Sequence, residues 1–273
     1  AGIQLAHAGR KASANRPWEA DDHIAEGDPR GWETISPSAI AYGANLPQVP
    51  REMTHEDIMR VQADFVAATR RAVEAGFEWL ELHFAHGYLA QSFFSVHANH
   101  RTDEYGGDLT GRSRFLLETL RAVRKVWPET FPLTARFGVI EFDGRDEQTL
   151  EEAITLTRQF KAEGLDMLNV SVGFSTPDAK MPWGPAFLAP IAERVHRETG
   201  LPVASSWGID TPLLANGVVE KKQMDLVMVG RAQLADPHWP YVAALKLGLD
   251  RPSWVLPPSY AHWLERYRPA ASE

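Results

Sequence analysis

Three observations predict a parallel α/β fold and, within that class, a (β/α)8 barrel. Helical segments end at a glycine or proline and pass at once into a short apolar strand, as in "AGFEWLELHFAH", "WPETFPLTARFG", "EGLDMLNVSVGF" and "TGLPVASSWGI". The strands read as apolar on both faces, which suits parallel strands covered by helices. Polar side chains recur at the strands' C-terminal ends, where a barrel of this kind collects functional groups from successive strands. An open doubly wound sheet fits the same alternation. No G-x-G-x-x-G follows any strand, however, so a dinucleotide fold lacks support.

The elements follow in order. "GIQLAH" is a strand that ends with Gln4 and His7. Segment 11–53 is long for a connection and rich in Pro, Gly, Asp and Trp, which predicts a loop that shapes a pocket mouth or packs across the rim. From Thr54 the apolar positions Ile58, Val61, Phe65, Ala68, Ala72 and Ala75 keep helical spacing, with Thr54 as N-cap and Gly76 as C-cap. "WLELHF" is the next strand, and "PLTARF" the one after it, carrying Arg136 among apolar neighbours. A helix is expected from Leu150, with Thr149 and Glu152 as a capping box and Gly164 beyond its end. "DMLNVSV", "PVASSW" and "DLVMVG" complete six strands and bring Ser171, Trp207, Gly230 and Arg231 to their ends. A closed barrel of this type needs eight.

Composition narrows the function. The 273 residues carry a net charge of −8 and no Lys/Arg-rich run, which argues against a nucleic-acid surface. There is no cysteine, so disulfides, thiolate zinc sites and iron–sulfur clusters within the chain are excluded. No apolar run approaches the ~20 residues that span a bilayer, and the expected location is the cytoplasm.

The chemistry concentrates in "LHFAHGYL", residues 82–89, where His83, His86 and Tyr88 follow a buried strand. Three readings stand. The histidines can be structural. They can ligate a metal, although zinc wants three or four ligands and only Glu81, two residues before His83 on the same face, lies near in sequence. Or they donate hydrogen bonds to one anionic oxygen, with Tyr88 as proton donor, since a phenol of ordinary pKa (about 10) keeps its proton near neutrality. Arg136 on its strand is either a partner in a salt bridge to a neighbouring strand or a fixed positive charge beside an electron-rich ring. Gly230 with Arg231 suits a phosphate, because glycine lets the backbone approach and arginine can fork onto the oxygens.

"GIQLAHAGRK", "ELHFAHGYLAQSFFS", "NHRTDEYGGDLTGRSRFLLE", "TARFG" and "VGRAQLADP" together resemble the old yellow enzyme family of flavin-dependent ene-reductases. "AHWLERY" and the tryptophan of "SSWG" resemble its xenobiotic reductase branch, and Gly111 stands where the family usually has Asn. The resemblance implies a TIM barrel of which this chain holds strands three to eight, residues 1–273 forming one FMN-binding domain that lacks its first two βα units. Those units amount to roughly 80–90 residues, and the chain is expected to be the C-terminal part of a longer polypeptide. It further implies FMN reduced by NADPH or NADH and reoxidised by an activated alkene or nitro compound. His83 and His86 would bind the substrate oxygen and Tyr88 would protonate the α-carbon. Gln4 would meet the flavin's pyrimidine edge, and Arg136 the negative charge near N1 and O2. Gly230 and Arg231 would hold the phosphate with Gly208 nearby, and Trp207 would wall the pocket. A homodimer is implied in which Trp263 lines the neighbouring subunit's site. Alternatives of other classes are a flavin-free interaction module and a metal-dependent hydrolase built on His83 and His86.

Overall fold

The computed structural model describes residues 1–268. The chain divides into two compact units, residues 1–182 with 194–203, and residues 183–193 with the chain from 204 onward. Its elements run β1 (Gly2–Leu5), a 3-10 turn at Gly9–Lys11, β2 (Ile35–Ser36), β3 (Arg51–Glu52), α1 (His55–Glu74), β4 (Trp79–Phe84), α2 (Leu89–Phe94) and α3 (Leu109–Arg124). They continue with β5 (Leu133–Ile140), α4 (Asp146–Ala162), β6 (Met167–Val172), α5 (Ala189–Thr199), β7 (Val203–Ser205), α6 (Pro212–Glu220) and β8 (Leu226–Val227). Three helices close the order: α7 (Arg231–Ala235), α8 (Trp239–Lys246) and α9 (Pro258–Leu264).

In the first unit β1, β4, β5 and β6 lie side by side in parallel. Register places Gln4 opposite Glu81, His83 opposite Arg136, and Arg136 opposite Asn169. Side chains alternate along a strand, so Gln4, Glu81, His83, Thr134, Arg136, Asn169 and Ser171 share one face. The other face carries Leu80, Leu82, Phe84, Ala135, Phe137, Leu168 and Val170, all fully buried. Phe137 meets Phe94 at 5.0 Å and Phe160 at 5.5 Å, edge-on, which ties α2 and α4 to the sheet. The reading of strands apolar on both faces is therefore corrected. One face is apolar, and the other is a polar ladder whose members were mostly seen only as strand-end residues.

Helix α1 starts as its sequence predicts. Thr54 accepts from Asp57 N, and Asp57 reaches back to Thr54 N, a complete capping box. Gly76, at φ +81°, ends the helix in the left-handed region. Helix α4 corrects its prediction, because it begins at Asp146, placing Thr149 inside the first turn instead of at the cap. The Asp146 carboxylate accepts from Phe142 N at 2.6 Å and so defines the earlier start. Segment 11–53 corrects its reading as a plain loop. It holds the short parallel pair β2–β3, with Ile35 opposite Arg51 and Ser36 opposite Glu52. Arg101 fixes its end by donating to Pro37 O at 2.9 Å and Met53 O at 2.6 Å.

The second unit pairs β7 with β8 in parallel, Ala204 opposite Leu226 and Ser205 opposite Val227. Both strands are shorter than the sequence suggested, at three and two residues. Helix α6 opens with Thr211 accepting from Leu214 N and Pro212 at its first position. Further on, α8 packs on the 3-10 turn Pro252–Val255, which packs on α9. Among the described residues no helix is long and apolar enough to cross a membrane.

Candidate active site

The exit of β4 brings His83, His86 and Tyr88 together. Ring centroids lie 4.9 Å apart for His83–His86, 5.3 Å for His83–Tyr88 and 6.3 Å for His86–Tyr88, each edge-on. The chain turns here through His86 (φ +63°) and Gly87 (φ +66°) before Tyr88 caps α2. A left-handed histidine is uncommon and strained, so the surroundings must hold it. His86 Nε2 lies 2.9 Å from Ser171 Oγ, and Arg136 Nε donates to the same oxygen at 3.3 Å. His83 Nδ1 is buried and meets no hydrogen-bond partner among the described residues.

Burial sets the charge state. It pushes His83 down to about 4, with Arg136 adding to the effect. It pushes His86 down to about 2, helped by Arg136, His83 and Lys11. Both imidazoles are neutral near pH 7, each with one N–H to give. Arg136 is itself lowered by burial, opposed by the charge of Glu81.

A second cluster supports the strand exits, and sequence reasoning gave its residues no role. Lys11 Nζ donates to His86 O at 2.9 Å and to Phe174 O at 2.8 Å, and sits 3.9 Å from the Tyr42 ring centroid. Phe174, like His86, is left-handed, at φ +49°. One ammonium therefore pins the two strained strand exits of β4 and β6. Burial, with Arg10 beside it, lowers Lys11 to about 7. Arg10, 1 % exposed, donates to Ile40 O, Ala41 O and Ser175 O. Glu141 accepts from Ser175 N at 2.9 Å, and burial raises its pKa. The signal was present in "AHAGRK": two cations directly after a strand.

Gln4, on the exposed β1, donates through Nε2 to Glu81 at 2.5 Å. Glu81 is thereby engaged. The three ligand-type side chains that gather within reach of one ion, among the described residues, are His55, Asp103 and Glu104, elsewhere on this unit. In the second unit Trp207 is left-handed (φ +74°) and lies 5.5 Å from Trp183. Gly208, at φ +69°, faces Gly184 O so closely that a Cβ would stand 2.5 Å from it. Gly230 precedes α7, and Arg231 opens that helix with an exposed side chain. Trp263 on α9 is 71 % exposed, 5.2 Å from the His262 ring.

Residues 1–250 match the profile of the NADH:flavin oxidoreductase / NADH oxidase family. The chain belongs to that family, the old yellow enzymes. An NADPH dehydrogenase of Geobacillus thermodenitrificans is 38 % identical over 248 residues, covering 91 % of this chain and 67 % of the relative. An NADH:flavin oxidoreductase of Gibberella zeae is 36 % identical over 264 residues, covering 91 % and 64 %. The chain thus spans about two thirds of the length of these curated relatives. A 2-naphthoyl-CoA reductase structure superposes with a TM-score of 0.77 at 27 % identity, over 92 % of this chain and 38 % of that one. The old yellow enzyme homologue from Zymomonas mobilis gives 0.70 at 21 % identity, over 89 % and 66 %, a likeness of fold. These neighbours are TIM-barrel enzymes, and the old yellow enzyme chain described here carries strands of that fold. Old yellow enzymes are oxidoreductases that use FMN with NAD(P)H.

Proposed function

We propose that this protein works as an FMN-dependent oxidoreductase that takes hydride from NADPH or NADH and reduces activated C=C bonds, enones and related electrophiles. The observation that carries the reading is the His83–His86–Tyr88 cluster, with one imidazole nitrogen buried and unpartnered. A buried polar atom without a partner is costly, and a ligand oxygen would relieve it.

The first unit offers a donor set that suits a flavin's pyrimidine edge: the Gln4 amide and the Arg136 guanidinium on one face of the sheet. FMN, when bound, supplies hydride to the substrate's β-carbon. His83 and His86 hold the carbonyl or nitro oxygen of the substrate. Both are neutral, so each gives a hydrogen bond without giving up a proton. As charge builds on that oxygen, the two donors strengthen, which favours the transition state over the ground state. Tyr88 hands its phenolic proton to the α-carbon. Lys11 keeps the His86 backbone in the strained turn that aims the ring. The roles expected of Gly208, Gly230 and Arg231 toward a phosphate, and of Trp207 and Trp263 toward a substrate, belong to the same proposal.

Anaerobic reduction by NADPH and by NADH, followed by reoxidation with 2-cyclohexenone, tests it. Reoxidation that outpaces the buffer-only control supports the reading. A colourless protein that takes up no FMN would sink it in favour of the interaction module, and chelator-sensitive hydrolysis in favour of the metal-dependent hydrolase.

A further inference from the structure

The polar ladder contains a carboxylate that the proposed chemistry does not use. Glu81 is 9 % exposed and lies two residues before His83 on the same face of β4. Its two oxygens each accept one side-chain amide: Oε1 from Gln4 Nε2 at 2.5 Å, Oε2 from Asn169 Nδ2 at 3.1 Å. We propose that Glu81 is a positioning residue, whose carboxylate fixes the amide orientation of Gln4 and sets the net charge that Arg136 presents to a bound flavin.

An ionised carboxylate accepts and never donates. A reversed Gln4 amide would set oxygen against oxygen, so Nε2 must face Glu81. Gln4 Oε1 is then the atom left to meet a ligand, and it seeks an N–H. A flavin's pyrimidine edge provides one at N3. Asn169 is held the same way. Its Oδ1 is buried without a hydrogen-bond partner among the described residues, in register with Arg136. A neutral residue at position 81 would accept or donate, and both amides would lose their fixed sense.

The charge acts separately. Arg136 lies on the same face as Glu81, diagonally across the β4–β5 pair, and the charge of Glu81 acts on it. The guanidinium favours added negative charge on a flavin, and the carboxylate opposes it. Glu81 therefore holds the flavin potential below the value that Arg136 alone would set.

This inference rests on the proposed contact of Gln4 and Arg136 with the flavin, and the test separates the two. The flavin-loaded protein is compared with Glu81→Gln, Glu81→Asp, Gln4→Leu and the double variant Gln4→Leu/Glu81→Gln. FMN affinity is read by fluorescence and midpoint potential against reference dyes. Glu81→Gln is expected to weaken FMN about tenfold and to shift the potential positive. Glu81→Asp keeps the charge but shortens the reach, so it restores the potential and not the affinity. In the double variant the two affinity losses fall short of their sum, because one bond links the residues. Unchanged affinity and potential in Glu81→Gln, with FMN weakened in Gln4→Leu, overturns the inference and leaves the proposed function standing. Unchanged FMN affinity in Gln4→Leu overturns the assignment of Gln4 and the inference with it. Should Glu81→Gln fail to fold, the Glu81→Asp potential decides: a shift as large as that of Gln4→Leu overturns the charge role.

Discussion

At the scale of single residues, the cluster at the exit of β4 separates two half-reactions. His83→Ala and His86→Ala should each slow reoxidation of reduced flavin by an enone about 10²–10³-fold, the usual cost of losing one oxyanion donor. Stopped-flow reoxidation at saturating enone measures this, and unchanged rates in both variants would remove the histidines from the mechanism. Tyr88→Phe should leave reduction by nicotinamide nearly intact, since that step draws no proton from the phenol. Alkene turnover should fall, by an amount set by how well water substitutes. Equal losses in both half-reactions would make Tyr88 a structural residue. The placement of His83, His86 and Tyr88 was legible because they crowd one strand exit within six residues. Ser171 and Glu81 were visible as residues but not as partners. Their contacts, 85 residues from His86 and 77 from Gln4, depend on strand register, which no local pattern encodes.

At the scale of elements, the turns are as constrained as the strands. Gly87 stands at φ +66°, and a Cβ there would come within 2.2 Å of Phe174 O and 2.8 Å of Lys11 Nζ. Gly87→Ala should therefore destabilise the protein by roughly 2–4 kcal/mol, read as a lower urea midpoint. A midpoint unchanged from the parent would mean that the two strand exits are looser than drawn. Six strands and α1 were readable because apolar runs, caps and glycine stops agree there. Helix α4 was misplaced by four residues because Thr149 and Glu152 imitate a capping box. The true start depends on Asp146 bonding Phe142 N, a contact with the preceding turn. The β2–β3 pair escaped notice because two-residue strands carry no period.

At the scale of the molecule, two expectations follow. Unfolded imidazoles bind protons below their ordinary 6.5, whereas folded His83 does so only near 4 and His86 near 2. Folded pKa values lie below unfolded ones, so the unfolded state gains protons first and stability falls as pH drops from about 6.5 toward 4. His83 alone accounts for a loss on the order of 3 kcal/mol across that window. Urea titrations at stepped pH should show a shallower slope for His83→Gln than for the parent; parallel slopes would contradict the buried, neutral assignment. The second expectation concerns association. Trp254, Tyr260, Trp263 and Tyr267 are all substantially exposed, and patches of large apolar side chains mark contact surfaces. The proposed homodimer should appear as a two-chain species in sedimentation, and Trp263→Ala should alter substrate KM in the dimer. A purely monomeric protein with unaltered KM would end that proposal.

The Lys11 bridge also makes the protein its own motion sensor. Burial lowers the Lys11 ammonium to about 7, which eases its loss of a proton to the free base that acylating reagents attack. Yet its nitrogen donates to two backbone carbonyls beside the Tyr42 ring in a half-buried side chain, so those bonds must break before a reagent can take it. Labelling of Lys11 therefore waits for the two strand exits to part, and its rate counts those openings one by one. Binding a ligand between the histidines should slow the count, so protection of a single lysine in peptide mass maps becomes a gauge of occupancy that needs no turnover at all.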